Sequence, residues 1–264
     1  MKRILITGAN SYIGTSFERY MGQYDKEYEV DTVDMIDGTW REKDFSVYDV
    51  VFHVAGIAHQ KETKENKNLY YKVNRDLAIE TAKKAKNEGV KQFIFLSSMS
   101  VYGKETGVIT RKTTPNPKSH YGRSKLQAEE ELCVLKSEQF LVCILRPPMV
   151  YGEGCKGNYQ MLVRIAEKLS FFANYKNKRS MIHIDGLSKA VKEMIDARCE
   201  GVFFPQDEEY RCTCEMIREI AQAKGKNFRL LKILNPFVWG VKIFTKKGKK
   251  AFGDLMYKME KDGE

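Results

Sequence analysis

Tyr121 and Lys125 lie four residues apart in the segment SHYGRSKLQAEEEL. One helical turn separates residues at this spacing, so the two side chains would share one face of a helix. An ammonium group beside a phenol favours the phenolate, and a phenolate can take a proton from an alcohol near neutral pH. Tyrosine and lysine are common on amphipathic helices, so this pair alone is a weak sign of catalysis.

A glycine-containing turn follows the first apolar segment of the chain. The segment Lys2–Thr7 favours a strand, GANSYIG at residues 8–14 follows it, and a helical pattern comes next. In such a unit, backbone N–H groups and the helix N-terminus hold a pyrophosphate, although an ordinary βα turn is the alternative. Gly8 would make the tight turn and Gly14 would allow close packing, whereas Ser11 replaces the usual central glycine. The residues predicted to hold a dinucleotide here are Gly8, Asn10, Ser11, Tyr12, Ile13 and Gly14.

A carboxylate stands where a dinucleotide site needs one. EVDTVD reads as a second strand that ends at Asp34, twenty positions after Gly14. A carboxylate there can accept hydrogen bonds from the ribose hydroxyls of NAD and would repel the 2′-phosphate of NADP. Asp31, inside the strand, and Asp37, past its end, are competitors for this role. No arginine directly follows Asp34, so we predict NAD as the cofactor.

Composition places the chain among ordinary globular proteins. Its 264 residues are 42% hydrophobic and 30% charged, and no apolar run reaches the roughly eighteen residues that a membrane span needs. The net charge of +10 suits an anionic substrate. The lysines are dispersed and no aromatic nucleic-acid motif occurs, so we expect no nucleic-acid partner.

Cysteine and histidine usage argues against a metal site. The six cysteines lack metal-ligand spacing, since Cys212 and Cys214 form CxC with no histidine pair nearby. His53 and His59 lie near a predicted cofactor strand, but the four histidines of the chain make no metal set. The N-terminus enters a strand at once, which argues against a secretory signal. We therefore expect reduced thiols, no metal and a cytoplasmic protein.

Strands and helices alternate in the first part of the chain. Strands are predicted near residues 2–7, 28–34, 49–55, 91–97 and 140–146, and helices near 12–23, 67–88 and 121–137. This alternation predicts an α/β fold with a Rossmann-type, doubly wound parallel sheet. The charged segment 35–48 is too short for a full crossover helix, so we expect a reduced third strand near 38–41.

A different pattern follows residue 152 and predicts a small C-terminal substrate domain. Its predicted elements are helix 158–170, strand 181–184, helix 186–198, strand 201–204, helix 213–224 and strand 227–233. We therefore divide the chain into an NAD-binding Rossmann domain, residues 1–152, and a substrate-binding domain, residues 153–264, which is interleaved with the first.

Together these segments resemble the extended short-chain dehydrogenase/reductases, in particular the NAD-dependent epimerase/dehydratase group that acts on nucleotide sugars. The matching segments are TGANSYIG (7–14), YDVVFHVAG (48–56), YKVN (71–74), FLSSMSVYG (95–103), YGRSK (121–125), LRPPMVYG (145–152) and NKRSMIHIDGL (177–187). They occur in the family's order and cover roughly residues 2–200, and the resemblance becomes thin beyond about residue 205.

The resemblance implies a catalytic set of Ser98, Tyr121 and Lys125. Tyr121 would be the base for a sugar hydroxyl, and Ser98 would hydrogen-bond that hydroxyl and so contact the substrate. Lys125 would lower the pKa of Tyr121 and contact the nicotinamide ribose. Met99 and Ser100 replace the Asp-Glu pair of the sugar-nucleotide dehydratases, so elimination of water has no obvious proton donor.

The resemblance also assigns cofactor positions, each with a structural alternative. Ala55 and Gly56 would border the cofactor or serve only packing. Asn74 would help to hold the nicotinamide ribose region or the backbone of the active site, or be a solvated helix residue. Pro148 would shape the nicotinamide pocket or only fix the backbone.

Two further positions are implied to bind the substrate. Asn158 opens a helix and would cap it or touch the diphosphate. Arg179 would pair with the nucleotide diphosphate through its two-pronged guanidinium, or be a solvated loop arginine. The implied substrate is a nucleotide-diphosphate sugar, with UDP as the favoured nucleotide.

The function implied is a nucleotide-sugar 4-epimerase that works with NAD through a 4-keto intermediate, in polysaccharide biosynthesis. A nucleotide-sugar 4-ketoreductase is the alternative, because fold and cofactor site are common to both. A non-catalytic NAD-binding sensor or assembly protein is the alternative of another class. The retained Ser98, Tyr121 and Lys125 favour an enzyme.

A contact between two copies of the chain is also expected. In relatives the helices near 67–88 and 121–137 pair across a two-fold axis, so we expect a homodimer. Leu126, Leu132 and Leu135 form a partial apolar stripe on the second helix that could equally serve the monomer core.

The segment Asn235 to Phe252 interleaves four aromatic residues with five lysines and contains no acid. Packing on the substrate domain is favoured for it over contact with a membrane.

Overall fold

The computed structural model describes residues 1–58, 60 and 62–259; His59 lies outside them. The strands are β1 Lys2–Thr7, β2 Tyr28–Val33, β3 Val50–His53, β4 Gln92–Leu96, β5 Gly107–Ile109, β6 Leu141–Leu145, β7 Met149–Tyr151, β8 Phe171–Ala173, β9 Met181–His183, β10 Gly201–Phe203, β11 Arg229–Leu231 and β12 Leu255–Tyr257. The α-helices are α1 Tyr12–Met21, α2 Lys67–Tyr71, α3 Leu77–Asn87, α4 His120–Leu135, α5 Asn158–Lys168, α6 Ile184–Asp196, α7 Thr213–Ala223, α8 Asn235–Phe244 and α9 Lys246–Phe252.

A six-stranded parallel sheet forms the centre of the first part of the fold. Its strand order is β10-β6-β4-β3-β1-β2, and every neighbouring pair is parallel. The strands read as nearly continuous apolar runs because both faces of a parallel sheet are covered. Strand β2 lies on one side of β1 and strand β3 on the other, so the strand order reverses between β1 and β3. Ligands of open α/β sheets bind at the carboxyl ends of the two strands that flank such a reversal.

The two faces of this sheet carry different helices. Leu5 of β1 lies in one core with Ala82 of α3 and Leu132 of α4. Phe52 of β3 instead contacts Phe17 of α1, with ring centroids 5.1 Å apart. Because successive strand residues point to opposite faces, α1 lies on the face opposite α3 and α4. The predicted Rossmann-type, doubly wound sheet is confirmed.

The segment between β2 and β3 differs from the prediction in one respect. It contains no crossover helix, as expected, but residues 39–41 form a single 3₁₀ turn and no strand. Trp40 and Phe45 from this segment are almost completely buried in the core with α3. The expectation of a reduced strand near 38–41 is therefore wrong, because the aromatic side chains anchor the segment without backbone pairing.

The chain folds into two compact units. The first comprises residues 1–103, 115–148 and 183–205, and the second residues 104–114, 149–182 and 206–264. Helix α6 and strand β10, which the sequence pattern placed in the smaller domain, belong to the first unit, because β10 pairs with β6 and α6 packs on α1.

The second unit has its own small core. Helices α5 and α7 pack together around Leu162, Ala166, Ile217 and Ala221. Short parallel pairs, β8 with β11 and β5 with β12, complete it. In the part of the chain that the structure describes, every helix is too short or too polar to cross a membrane.

Two of the three leucines proposed for a dimer contact serve the monomer. Leu132 is fully buried in the core beneath α4, and Leu135 packs against the same core. We nevertheless expect a homodimer from the resemblance, with α3 and α4 at the two-fold axis. Light scattering at micromolar concentration should then give twice the 30.5 kDa mass of the chain, and a mass of one chain would contradict this prediction.

Candidate active site

The start of α4 places Tyr121 beside the end of β4. Ser119 caps the helix by accepting the N–H of Gly122, 3.0 Å away. A Cβ atom on Gly122 would lie 2.6 Å from the carbonyl oxygen of Ser100, so only glycine lets the first turn of α4 lie directly on the turn after β4. This close approach places Tyr121 near Ser98, whose side chain lowers the pKa of the tyrosine.

Burial is the main influence on the Tyr121 hydroxyl. Burial raises the pKa of Tyr121, the hydrogen bond with Ser98 lowers it, and the neighbouring Tyr70 raises it again. The charge of Lys125 is not among the causes of this shift. In this structure the Nζ of Lys125 is engaged by the Leu96 carbonyl, and a lowering of the Tyr121 pKa by Lys125 stays a prediction.

Lys125 is held at the end of β4. Its Nζ donates a hydrogen bond to the carbonyl oxygen of Leu96 over 2.8 Å and lies 4.6 Å from the centre of the Phe95 ring. The side chain is almost completely buried. Burial lowers the pKa of Lys125 to about 7, against a smaller raising effect of Glu129. The lysine can thus change its charge near neutral pH.

Asn74 ties the helix to the loop that follows β3. Its side-chain oxygen accepts the N–H of Ile57 over 2.8 Å, and its amide donates to the Ile57 carbonyl and to Ser124. Asn74 lies in a π-helical turn, Lys72–Asp76, between α2 and α3, a feature frequent at functional sites. Of the roles considered for Asn74, the structure shows that it holds the backbone next to the predicted site.

The turn after β1 has the geometry that a dinucleotide needs. Gly8 has φ +112°, and a Cβ there would lie 2.8 Å from the backbone nitrogen of Ala55. Ser11 caps α1 by accepting the N–H of Gly14, which leaves its own hydroxyl hydrogen available to donate. The other first-turn N–H groups lack acceptors within the helix and can hold a phosphate. Asn10, with φ +64°, turns the chain into the helix, and Tyr12 and Ile13 open it.

The carboxyl ends of the strands bring the other predicted cofactor residues to the same edge. Ala55 and Gly56 follow β3, and a Cβ on Gly56 would lie 2.9 Å from Oδ1 of Asn74 and 3.3 Å from Nζ of Lys125. Pro148, which is buried, comes shortly after β6. This edge therefore has two features that NAD binding needs, a capped helix N-terminus and a glycine turn.

Asp34 follows β2, next to β1 in the sheet. Its Oδ1 accepts the N–H of Ile36 over 2.7 Å, which fixes the carboxylate at the strand end. Asp31 is already engaged, because it accepts the Tyr48 hydroxyl over 2.6 Å and lies 3.8 Å from the Arg3 guanidinium. The structure thus favours Asp34 over Asp31 as the acid that faces a ribose.

The two predicted substrate residues belong to the second unit. Asn158 is the exposed first residue of α5. Arg179 donates from Nη1 to the carbonyl oxygens of Lys250 and Gly253, each 2.9 Å away. This guanidinium therefore holds the end of α9, and a contact of Arg179 with a diphosphate stays a prediction.

A buried polar network beneath Ser98 was not predicted from the sequence. Glu129 accepts hydrogen bonds from Ser97 and from Arg146, whose Nε lies 3.1 Å from both carboxylate oxygens. Arg146 also donates to the Tyr102 hydroxyl over 2.7 Å. The available signal was that Glu129 stands four residues after Lys125, on the same face of α4.

Aromatic and acidic neighbours of Tyr121 were also missed. Tyr70 packs edge-on to it, with ring centroids 6.5 Å apart, and Glu62 accepts its backbone N–H over 2.9 Å. The described residues hold no group of three or more His, Cys, Asp and Glu placed to bind a metal. His53 is fully buried against Thr7, and burial lowers its pKa to about 3.

The pattern for the NAD dependent epimerase/dehydratase family matches residues 4–203, most of the chain and all the elements that build this site. The chain belongs to this family. It is thus a sugar-nucleotide epimerase or reductase family enzyme that depends on NAD.

Individual relatives agree with the family. The chain is 35% identical to a UDP-glucose 4-epimerase of Vibrio cholerae, over 93% of this chain and 82% of that protein. It is 25% identical to an N-acetyl-α-D-glucosaminyl-diphospho-ditrans,octacis-undecaprenol 4-epimerase of Escherichia coli O157:H7, over 88% and 76% of the two chains. The fold matches a Bacillus cereus UDP-glucuronic acid 4-epimerase solved with NAD, with a TM-score of 0.74 at 19% identity over 98% and 88% of the chains.

Asp34 gives a direct test of the cofactor site in this family member. Asp34→Ala should weaken NAD binding by about 10- to 100-fold, the worth of about 1.5–3 kcal/mol for hydrogen bonds to a charged group. Binding of NADP should improve, because the repulsion of its 2′-phosphate is removed. Isothermal titration with each nucleotide measures both effects.

Asp37→Ala is the matched control, since this nearby acid is exposed and bonded to Thr39. It should leave both affinities unchanged. A wild-type protein that prefers NADP, or an Asp34→Ala variant with full NAD affinity, would show that another group selects the cofactor.

Proposed function

We propose that this enzyme is a nucleotide-sugar 4-epimerase in polysaccharide biosynthesis, with a UDP-sugar as its substrate. The observation that carries the proposal is the placement of Tyr121 at the start of α4, with Ser98 beside it and Lys125 one turn further along, held at the Leu96 carbonyl. The 35% identity to a UDP-glucose 4-epimerase over nearly the whole chain supports the choice of reaction.

The residues divide the chemistry between them. Tyr121 takes the proton of the sugar C4 hydroxyl, and Ser98 donates a hydrogen bond that orients the reacting oxygen. When bound, NAD would supply the acceptor and then the donor of the C4 hydride. Tyr121 would give its proton back to the C4 oxygen when the hydride returns to the opposite face of the sugar. Burial raises the pKa of Tyr121, so proton transfer needs a positive charge near the phenol. The ammonium form of Lys125 would supply it by turning from the Leu96 carbonyl, which it contacts in this structure, toward the phenol.

Dehydration is disfavoured by the same turn. Met99 and Ser100 follow Ser98 in the 3₁₀ turn after β4. Neither side chain can act as the carboxylic acid or carboxylate that elimination of water requires. Epimerisation at C4 needs only the tyrosine, the serine and NAD, so the absence of an acid in this turn does not affect it.

The test is a panel of UDP-sugars analysed by NMR, with and without added cofactor. The panel includes a sugar carried on diphospho-undecaprenol, since one relative acts on such a substrate. An epimerase should interconvert the C4 epimers without added cofactor and should purify with bound NAD.

The other outcomes separate the alternatives. Consumption of added NADH with a 4-keto sugar, and no epimer exchange, would assign a 4-ketoreductase. Saturable NAD binding with no turnover of any substrate would assign a non-catalytic NAD-binding protein.

A further inference from the structure

Helix α8 exposes an apolar face of unusual size. Phe237 is 73% exposed, Trp239 57%, Ile243 43% and Phe244 82%, and Ile233 just before the helix is 84% exposed. Large contiguous apolar patches on a protein surface mark interaction sites, whereas single exposed hydrophobic residues do not. Five large exposed apolar side chains within twelve residues therefore indicate an interaction site.

The orientation of α8 is fixed from its other side. Val238 is buried, and the Nζ of Lys242 donates to the Tyr175 hydroxyl over 3.0 Å while it lies above the same ring. Asn235 donates to the carbonyl oxygen of Asn174 over 3.1 Å. At 100° per residue, Phe237, Trp239, Ile243 and Phe244 spread over about 160° of the helix surface, and Val238 and Lys242 lie on the opposite side. The helix thus turns its charged lysine inward and its aromatic rings outward.

The surroundings of this face are strongly basic. No Asp or Glu occurs between Glu219 and Asp254, whereas this segment holds nine Lys and Arg residues. Lys232 precedes α8, and Lys249 and Lys250 lie in α9, which packs on α8. Aromatic residues flanked by lysines are typical of segments that lie in the boundary between headgroups and acyl chains.

We propose that α8 docks on the surface of an anionic phospholipid membrane, with Phe237, Trp239 and Phe244 inserted at the level of the headgroups. The flanking lysines bind the lipid phosphates, and each contributes about fivefold to the partition coefficient near an anionic surface. Docking through this face does not depend on the reaction proposed above, because none of these residues belongs to the predicted catalytic set.

The charge pattern favours lipid over a second copy of the chain. A two-fold contact through α8 would place the same lysines of both copies against one another, because such an interface is self-complementary. The repulsion would be uncompensated, since the segment 220–253 contains no acid. An anionic bilayer accepts the rings and the charges together.

The experiment is flotation of the full chain with phosphatidylcholine vesicles and with vesicles in which phosphatidylglycerol replaces part of that lipid. The protein should float only with the anionic vesicles at low salt and be released as salt rises. Brominated lipid should quench Trp239, whereas Trp40, the other tryptophan and 1% exposed, should stay unquenched.

The double variant Phe237→Ser/Phe244→Ser should lose about 10²-fold or more in vesicle affinity, from the loss of two buried aromatic side chains. Val134→Ser is the matched control, because Val134 of α4 is 79% exposed but lies outside the basic segment. Its vesicle affinity should equal that of the wild type.

Three results would overturn the proposal. The wild type stays in solution with anionic vesicles, or the double variant binds as tightly as the wild type. In the third, neither the wild type nor the double variant binds vesicles, and light scattering gives a dimer for the wild type but a monomer for the double variant. That result would show that α8 contacts a second copy of the chain. Turnover of a water-soluble UDP-sugar is measured alongside, so loss of docking is distinguished from failure of the proposed reaction.

Discussion

Tyr121→Phe is expected to reduce turnover by about 10²- to 10⁴-fold, the usual contribution of a positioned acid–base group. The substitution removes only the hydroxyl, whose pKa Ser98 influences. No other group among the residues described next to this hydroxyl has the same place and chemistry: Ser98 is a much weaker base, and Lys125 is turned to the Leu96 carbonyl. Steady-state kinetics with the UDP-sugar identified by the panel measure the loss.

The same variant should keep its fold and bind NAD almost as tightly as the wild type. The ring still packs edge-on to Tyr70, and the loss of one hydrogen bond costs about 1 kcal/mol of stability. The variant should therefore lose most of its turnover while its affinity for NAD stays close to that of the wild type. A variant that lost both would point to a structural role for the tyrosine.

Tyr71→Phe is the matched control for this prediction. Tyr71 lies on the neighbouring helix α2, and its hydroxyl is 3.0 Å from Nδ1 of His120. Removing that hydroxyl deletes a hydrogen bond close to Tyr121 but no group of the predicted catalytic set. Tyr71→Phe should turn over within a few-fold of the wild type, and a Tyr121→Phe variant with more than about a tenth of wild-type activity would exclude Tyr121 as the base.

The sheet and the glycine turn were accessible from the sequence because local pattern decides them. Apolar runs such as Lys2–Thr7 and Gln92–Leu96 read as strands buried on both faces. Gly8 was assigned from the strand–turn–helix context, and the structure shows the close approach to Ala55 that excludes a side chain there. In both cases the signal lies within a few consecutive residues.

The parts that were missed depend on contacts between distant segments. The pattern around residues 201–204 predicts a strand, but only tertiary pairing with β6 decides which sheet it joins. Trp40 is buried by α3, which a charged fourteen-residue segment does not reveal. The π-helical turn at Asn74 inserts one residue per turn without a mark in composition.

The proposed catalytic chemistry shows the same division. The spacing of Tyr121 and Lys125 predicted a shared helical face, and both lie in α4. The electrostatic relation between them was not predictable, because it depends on the Leu96 carbonyl that holds the ammonium and on the burial of Lys125.

Glu129→Ala is expected to lower the free energy of unfolding by about 3–5 kcal/mol, the cost of breaking a buried ion pair from one side. Glu129 is 3% exposed and Arg146 9%. Without the carboxylate, the Arg146 guanidinium would stay buried with only the Tyr102 hydroxyl as a partner from this network, and Ser97 would lose its acceptor. Urea unfolding followed by circular dichroism measures the change.

Two further variants make this prediction specific. Glu130→Ala removes an exposed acid from the same helix and should change stability by less than about 0.5 kcal/mol. Glu129→Leu/Arg146→Met removes both charges and keeps the volume, so it should be clearly more stable than Glu129→Ala. If Glu129→Ala costs no more than Glu130→Ala, the pair contributes nothing to the fold, and the turn that carries Ser98 must be held by Gly122 and the packing of α4 alone.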